Sequence, residues 1–147
     1  MKNIIFICHG NICRSPAAEF IAKDYLKNHH RESEFNIISQ AVSLEEIGND
    51  IYPPMKNELK KQSVPFSYHA SSLITQKDYE WADYVFYMDS SNLKRLHYYI
   101  QDTKNTLFPI YFYTKDVSEI EDPWYTGRYE LVVKQIKKCI KDIFDNI

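Results

Sequence analysis

The stretch FICHGNICRSP (residues 6–16) decides how this chain is read. It completes a continuous apolar run, NIIFIC (3–8), that stops at Cys8. An uninterrupted run of that length predicts a strand buried on both faces of a parallel sheet. At the far end of the stretch, Ser15 predicts a helix cap and Pro16 a first helical position. Ala18, Ile21, Ala22 and Tyr25 then share one helical face. Between strand and helix lie two cysteines five positions apart, open to three readings: a disulfide, half of a metal site, or coincidence.

The rest of the chain alternates in the same way. FNIIS (35–39) predicts a second strand, and residues 55–62, following Pro53-Pro54 and stopping before Pro65, a helix. QKDYEWA (76–82) predicts a short helix and DYVFYM (83–88) a third buried strand. Ser90 or Ser91 opens the helix NLKRLHYYI, and NTLFPI (105–110) is a fourth strand with Pro109 near its end. A polar loop runs through KDVSEIEDPWYTG, and from Arg128 a last helix carries Tyr129, Val132, Val133, Ile136, Ile140, Ile143 and Phe144 on one stripe. Strands alternating with helices predict a three-layer α/β domain over residues 1–147, with a central parallel sheet of about four strands and helices on both faces. In such sheets ligands bind at the carboxyl ends of the strands, where Cys8 sits.

Bulk properties narrow the function. At 147 residues the chain suits one domain with a real core, and a formal charge of -2 gives no polyanion-binding signal. Twelve Tyr and eight Phe against three Gly indicate regular elements and aromatic packing. No apolar run approaches a membrane span or a signal-peptide core. Three cysteines without framework spacing favour a reducing, cytoplasmic setting. No nucleic-acid or membrane partner and no cofactor is expected, and a zinc site on Cys8 and Cys13 lacks a second ligand pair.

A strand that ends, loops and enters a helix aims backbone N–H groups and a helix dipole at a concavity suited to a tetrahedral oxyanion. Arg14 at the loop's end can add a bidentate pair of donors, and Cys8 at its start would lie beneath the anion, its thiolate stabilised by the same donors. Cys-x5-Arg alone is a weak signal. Gly10, which permits close backbone approach, and Asn11, which tolerates a left-handed conformation, strengthen it. No nucleotide-type phosphate loop is present.

CHGNICRSP resembles the signature of the low-molecular-weight protein tyrosine phosphatases, a cytosolic family with a flavodoxin-like sheet. HASSLITQKDYEWADYVFYMDSSNL (69–93) resembles its central segment, including a Met-Asp-x-x-Asn turn, and EDPWYTG (121–127) its general-acid loop. The resemblance spans essentially the whole chain. It implies that Cys8 attacks phosphorus to form a cysteinyl-phosphate, while Arg14 and the amides of His9, Gly10, Asn11, Ile12, Cys13 and Arg14 hold the oxygens. It implies Asp122 as general acid and then base, pointed at the pocket by Pro123, and Ser15 as a donor to the Cys8 sulfur. Asn11, Ser39 and His69 match a polar network bracing the loop; Glu45, Trp124 and Tyr125 fall at the rim of the substrate pocket. The family also implies a redox role for Cys13 as disulfide partner of Cys8, phosphotyrosine-containing proteins as substrates, and phosphate or other oxyanions as competitive inhibitors. A monomer is expected.

The chain departs from the family at several points. Gln40 follows the second strand where small residues are usual, Glu45 replaces an often aromatic wall, Ser71 and Ser72 stand where an arginine is common, and Trp124 replaces the first of two tyrosines. Three rival activities are weighed beside phosphotyrosine hydrolysis. Arsenate reduction needs further relay cysteines, and only Cys139 lies outside the loop, on the last helix where a small core residue is expected. Protein-arginine phosphatases of the same family carry Thr where Ile12 stands. A module that only binds phosphate would be expected to have lost Cys8 or Asp122.

Overall fold

The computed structural model describes residues 1–147, and four strands form a single parallel sheet. In chain order the elements are β1 (Lys2–Cys8), α1 (Arg14–Asn28), a 3-10 turn (Glu32–Glu34), β2 (Phe35–Ala41), α2 (Pro53–Lys61), α3 (Gln76–Trp81), β3 (Tyr84–Tyr87), α4 (Ser90–Tyr99), β4 (Leu107–Pro109), α5 (Pro123–Thr126) and α6 (Tyr129–Asn146). The strands lie in the order β2-β1-β3-β4. β1 pairs with β2 from Lys2↔Phe35 to Cys8↔Ala41 and with β3 from Ile4↔Tyr84 to Ile7↔Tyr87.

The period-two alternation of β1 sorts the core into two halves. Ile4, Phe6 and Cys8 face a cluster built with Ala17, Ala18 and Ile21 of α1, Met55 and Leu59 of α2, and the apolar stripe of α6. Ile5 and Ile7 face the opposite cluster, with Tyr79 of α3 and Leu96 of α4. Residues Ile4 to Ile7 are all fully buried, as the unbroken apolar run requires. The predicted three-layer α/β arrangement is therefore present. The chain leaves β1 toward β2 and returns past it to β3, so the sheet's switch point lies at the carboxyl end of β1, the crevice where such sheets bind ligands.

Several element ends differ from the sequence expectation. Ser15 caps nothing: α1 starts at Arg14 after Cys13, and the Ser15 hydroxyl is drawn to the Cys8 sulfur and Asn11 instead. Pro16 thus falls in third position, where its missing N–H is still one of the first four that no helix pairs. α4 is capped by Asp89 rather than a serine, its carboxylate accepting from the Asn92 N–H at 2.8 Å. Pro53 and Pro54 open α2 rather than precede it. β2 continues to Ala41, whose N–H and carbonyl bond to Ser72 and Ile74. The loop at 121–127 holds a short helix, α5, capped by Asp122 and closed by Gly127 at φ 71°.

Along α6, Val132, Val133, Ile136, Cys139, Ile140, Ile143 and Phe144 are buried, while Lys134 pairs with Glu130 on the exposed face. Ile136→Ala should lower the unfolding free energy by about 2–5 kcal/mol, because Ile136 is fully buried in the core that α6 shares with α1 and α2. Lys134→Ala should change it by about 0.5 kcal/mol or less. Urea melts of the two variants check this, and equal midpoints would mean that α6 does not seal the core.

Candidate active site

Cys8, the last residue of β1, is followed by a loop whose carbonyls all bond away from its hollow. The Cys8 and His9 carbonyls accept from Val42 N–H, and those of Ile12 and Cys13 from the N–H groups of Tyr52 and Ala17. The Gly10 carbonyl accepts from Ser71 Oγ at 2.8 Å and the Asn11 carbonyl from His69 Nε2 at 3.2 Å. The N–H groups of Gly10, Ile12, Cys13 and Arg14 make no bond within the protein, and that of Asn11 lies 3.3 Å from the Cys8 sulfur. A concave row of N–H groups at a helix N-terminus can hold an oxyanion.

Asn11 turns the loop. Its φ is 59°, a left-handed value that a short amide side chain tolerates better than most. The side chain, fully buried, spends every polar atom on the turn. Nδ2 donates to Ser15 Oγ at 2.7 Å and Ser39 Oγ at 3.0 Å, while Oδ1 accepts from His69 Nε2 at 2.9 Å and Ser72 N–H at 3.3 Å. Since His69 Nε2 faces two carbonyl oxygens, it carries the ring proton. Because Ser15 Oγ already accepts from Asn11, its own hydrogen is free for the Cys8 sulfur 3.1 Å away. Ser39 Oγ donates in turn to Glu19 Oε1 at 2.7 Å, and Lys23 pairs with the other Glu19 oxygen at 2.6 Å. Sequence reading placed Asn11, Ser15, Ser39 and His69 together, and the structure does so. It missed Glu19 and gave Ser71 and Ser72 no bracing role, since these contacts are ones that no local pattern announces.

Arg14 is 2% exposed. Its Nη1 donates to Asp89 Oδ2 at 2.6 Å and to the Ile120 carbonyl at 2.8 Å, and Nη2 lies 3.6 Å from Asp122 Oδ2. Burial works against the charge of this guanidinium, but Cys8, Asp89 and Asp122 outweigh it and raise its pKa further. Asp89 belongs to the Met-Asp-x-x-Asn turn that was noted without a role. One oxygen holds Arg14 while the other caps α4.

Asp122 caps α5 through Oδ1, which accepts from Trp124 N–H at 3.1 Å, leaving Oδ2 toward Arg14. Its φ of -82° and ψ of 110° are the extended values that Pro123 demands. The pocket is lined by Cys8, His9, Gly10, Ile12, Cys13, Arg14, Glu45, Glu46, Asp122, Trp124 and Tyr125, so the three catalytic candidates Cys8, Arg14 and Asp122 and all three rim candidates meet in one cavity. Trp124 packs on Tyr52 with ring centroids 4.7 Å apart and is half exposed, as is fitting for a wall rather than a core aromatic. Glu45 receives His9 Nε2 at 3.0 Å. Cys13, at the end of the loop, is buried; burial first, then Cys8 and Asp122, push its thiol far above the ordinary range. No group of three or more His, Cys, Asp or Glu side chains converges on a metal position.

Residues 3–147 match the family described as low molecular weight phosphotyrosine protein phosphatase. A rat protein of that name is 33% identical over 95% of this chain and 92% of its own length. The low molecular weight protein-tyrosine-phosphatase YfkJ of Bacillus subtilis is 28% identical over 100% of this chain and 96% of its own. The crystal structure of YfkJ superposes with a TM-score of 0.93 at 26% identity, covering 100% of this chain and 94% of that one. A low molecular weight protein tyrosine phosphatase from Streptococcus pyogenes gives 0.87 at 30% identity, over 100% and 93%.

Removing the Asp89 carboxylate leaves a buried guanidinium short of its closest counter-charge. Asp89→Ala should therefore cost about 3 kcal/mol of stability, and added inorganic phosphate should recover part of it by mass action. Asp89→Asn, which keeps one acceptor oxygen for Arg14 or for the Asn92 N–H but not for both, should cost somewhat less. Urea midpoints with and without phosphate test this; parent-like midpoints for both variants would make the pair energetically idle.

Proposed function

The chain belongs to the low molecular weight phosphotyrosine protein phosphatase family, and from that premise we propose that it hydrolyses phosphotyrosine through a phosphocysteine intermediate. The observation that carries this reading is the pairing of Cys8 with a loop whose carbonyls are all tied outward, so that its N–H groups and Arg14 surround the space above the sulfur. The Cys8 thiolate attacks phosphorus, the S–P bond forms as the P–O bond to the phenol breaks, and Asp122 delivers its proton to the departing oxygen. Water then attacks phosphorus, Asp122 takes its proton, and the sulfur leaves with phosphate released. N–H groups fixed before the reaction stabilise the three equatorial oxygens without rearrangement. Asn11, Ser39, His69 and Ser15 hold the loop and the sulfur in place.

We take residues 1–147 as one phosphatase domain acting as a monomer in the cytoplasm on phosphotyrosyl proteins, with phosphate and other oxyanions competing for the loop. No helix is long and apolar enough to cross a membrane, and all three cysteines are free thiols. Ile12, a pocket-lining residue, supports phosphotyrosine over phosphoarginine, because an apolar wall suits an aryl ring.

Two substitutions separate the roles. Cys8→Ser should abolish turnover by about four orders of magnitude or more while retaining phosphate binding. Asp122→Asn should slow hydrolysis of tyrosine phosphate by about 10²–10⁴-fold and that of p-nitrophenyl phosphate much less, since an activated phenolate needs little help from an acid. Appreciable turnover by the serine variant, or equal losses on both substrates for the asparagine variant, would remove that residue from its role.

Cys13 is proposed as the redox partner of Cys8. Peroxide oxidises the Cys8 sulfur to a sulfenic acid, and the Cys13 thiol condenses with it, releasing water and forming a disulfide that two external thiols reduce. After peroxide treatment, dithiothreitol should restore the parent enzyme and fail to restore Cys13→Ser. Equal recovery, with no Cys8–Cys13 bridge by mass spectrometry, would assign Cys13 a packing role only.

A further inference from the structure

The mouth of the pocket carries a charge pattern that phosphate chemistry does not require. Its floor is cationic through Arg14 alone, which is buried and bonded to Asp89. The other acidic side chains that line it are Glu45, Glu46 and the proposed general acid Asp122, and no lysine is among them. Three cations from other segments of the chain are engaged elsewhere. Arg128 binds Glu121 at 2.7 Å, Lys56 binds Asp50 at 2.6 Å, and Arg95 donates to the Val42 carbonyl at 2.8 Å.

Both rim glutamates are held in place. Glu45 is bonded only to His9, and its side chain is 70% exposed. Glu46 accepts from Asn49 Nδ2 at 2.7 Å, and its Cγ lies 3.3 Å from where a Cβ on Gly10 would stand, against the loop itself. Leu44 and Ile47, on either side of the pair, are exposed apolar side chains. A phosphate monoester brings about 1.5 to 2 negative charges toward this mouth. The carboxylates oppose its approach, whereas a cation on the same substrate would be drawn to them.

We infer that the Glu45–Glu46 rim selects phosphotyrosyl protein segments bearing Lys or Arg beside the phosphotyrosine and disfavours those bearing Asp or Glu there. The inference rests on the phosphotyrosine reading of the pocket. Leu44 and Ile47 offer the apolar surface along which the aliphatic stem of a lysine or arginine can lie while its charge reaches a glutamate. Because Glu45 is exposed and Glu46 only half-buried, each substrate charge should change kcat/KM by only about three- to tenfold, and salt should screen most of it.

The test is one phosphotyrosine peptide made with Lys, Ala or Glu at both flanking positions, assayed at low and high ionic strength beside p-nitrophenyl phosphate. The expected order of kcat/KM is Lys, then Ala, then Glu, with a spread that contracts in high salt. In Glu45→Gln, Glu46→Gln and the double variant, the Lys-to-Glu ratio should fall toward one; a ratio within one variant is independent of its overall activity. Equal rates for the three peptides, or a preference for Glu, would overturn the inference while leaving phosphotyrosine hydrolysis standing. A lysine preference that survives the double variant would overturn the assignment to these glutamates. Absence of turnover on the peptides and the aryl phosphate alike would overturn the underlying reading instead.

Discussion

The outward bonding of six consecutive carbonyls, from Cys8 to Cys13, is the constraint on which the site depends. A peptide unit whose oxygen is tied to the scaffold must present its N–H to the other side. The loop therefore gains its donors without any residue that is itself a strong anion binder. Asn11 makes the curl feasible by taking the left-handed turn at φ 59° and anchoring it from within. A left-handed residue other than glycine costs about 1–2 kcal/mol, and the four side-chain hydrogen bonds of Asn11 are of the size needed to offset that. An alanine at this position would keep the strain and lose the anchors.

Sheet topology brings the remaining parts to the same place. Cys8 ends β1, Asp89 follows β3, and Asp122 lies in the segment after β4, all at the carboxyl edge of a parallel sheet. Arg14 ties them together, since a buried guanidinium must satisfy several donors and these acceptors are the ones within reach. A further link runs from Met88, whose carbonyl accepts from the Ile120 N–H, so the strand that positions Asp89 also positions the segment leading to Asp122. Charge and backbone register are thereby coupled across elements far apart in the chain.

The features legible in the sequence are those encoded by local repetition. The continuous apolar run of β1, the helical stripe of α6 and the loop between strand and helix each depend on neighbours within a few residues. The misplaced helix starts have separate physical causes. Ser15, Ser90 and Ser91 have the chemistry of caps, but Ser15 is drawn to a sulfur and an amide in the loop, and Asp89 supplies the cap expected of Ser90 or Ser91. Partners remote in sequence stayed invisible for a different reason. Arg14 meets Asp89 across 75 positions and Gly10 meets Ser71 across 61, distances over which no periodicity carries information. Glu45 was placed at the rim through resemblance alone, and its partner His9 emerges only from the fold.

The three cysteines show how much of the chemistry belongs to surroundings rather than to residue type. Cys139, packed in the core against α6's neighbours, has its thiol pushed up to about 11 by burial, with Thr114 only partly offsetting the shift. Cys13 is pushed further still, because it is buried and also faces Cys8 and Asp122. Cys8 alone has a backbone N–H at 3.3 Å and a serine hydroxyl at 3.1 Å directed at its sulfur, and it alone stands at the floor of the ring of N–H groups. The other two thiols are suited to remaining protonated, so a reagent that attacks thiolates should discriminate among three buried cysteines by donors rather than by exposure. The same reasoning explains why the loop tolerates a second cysteine so close to the first: burial keeps Cys13 neutral, so it brings no competing negative charge to the pocket.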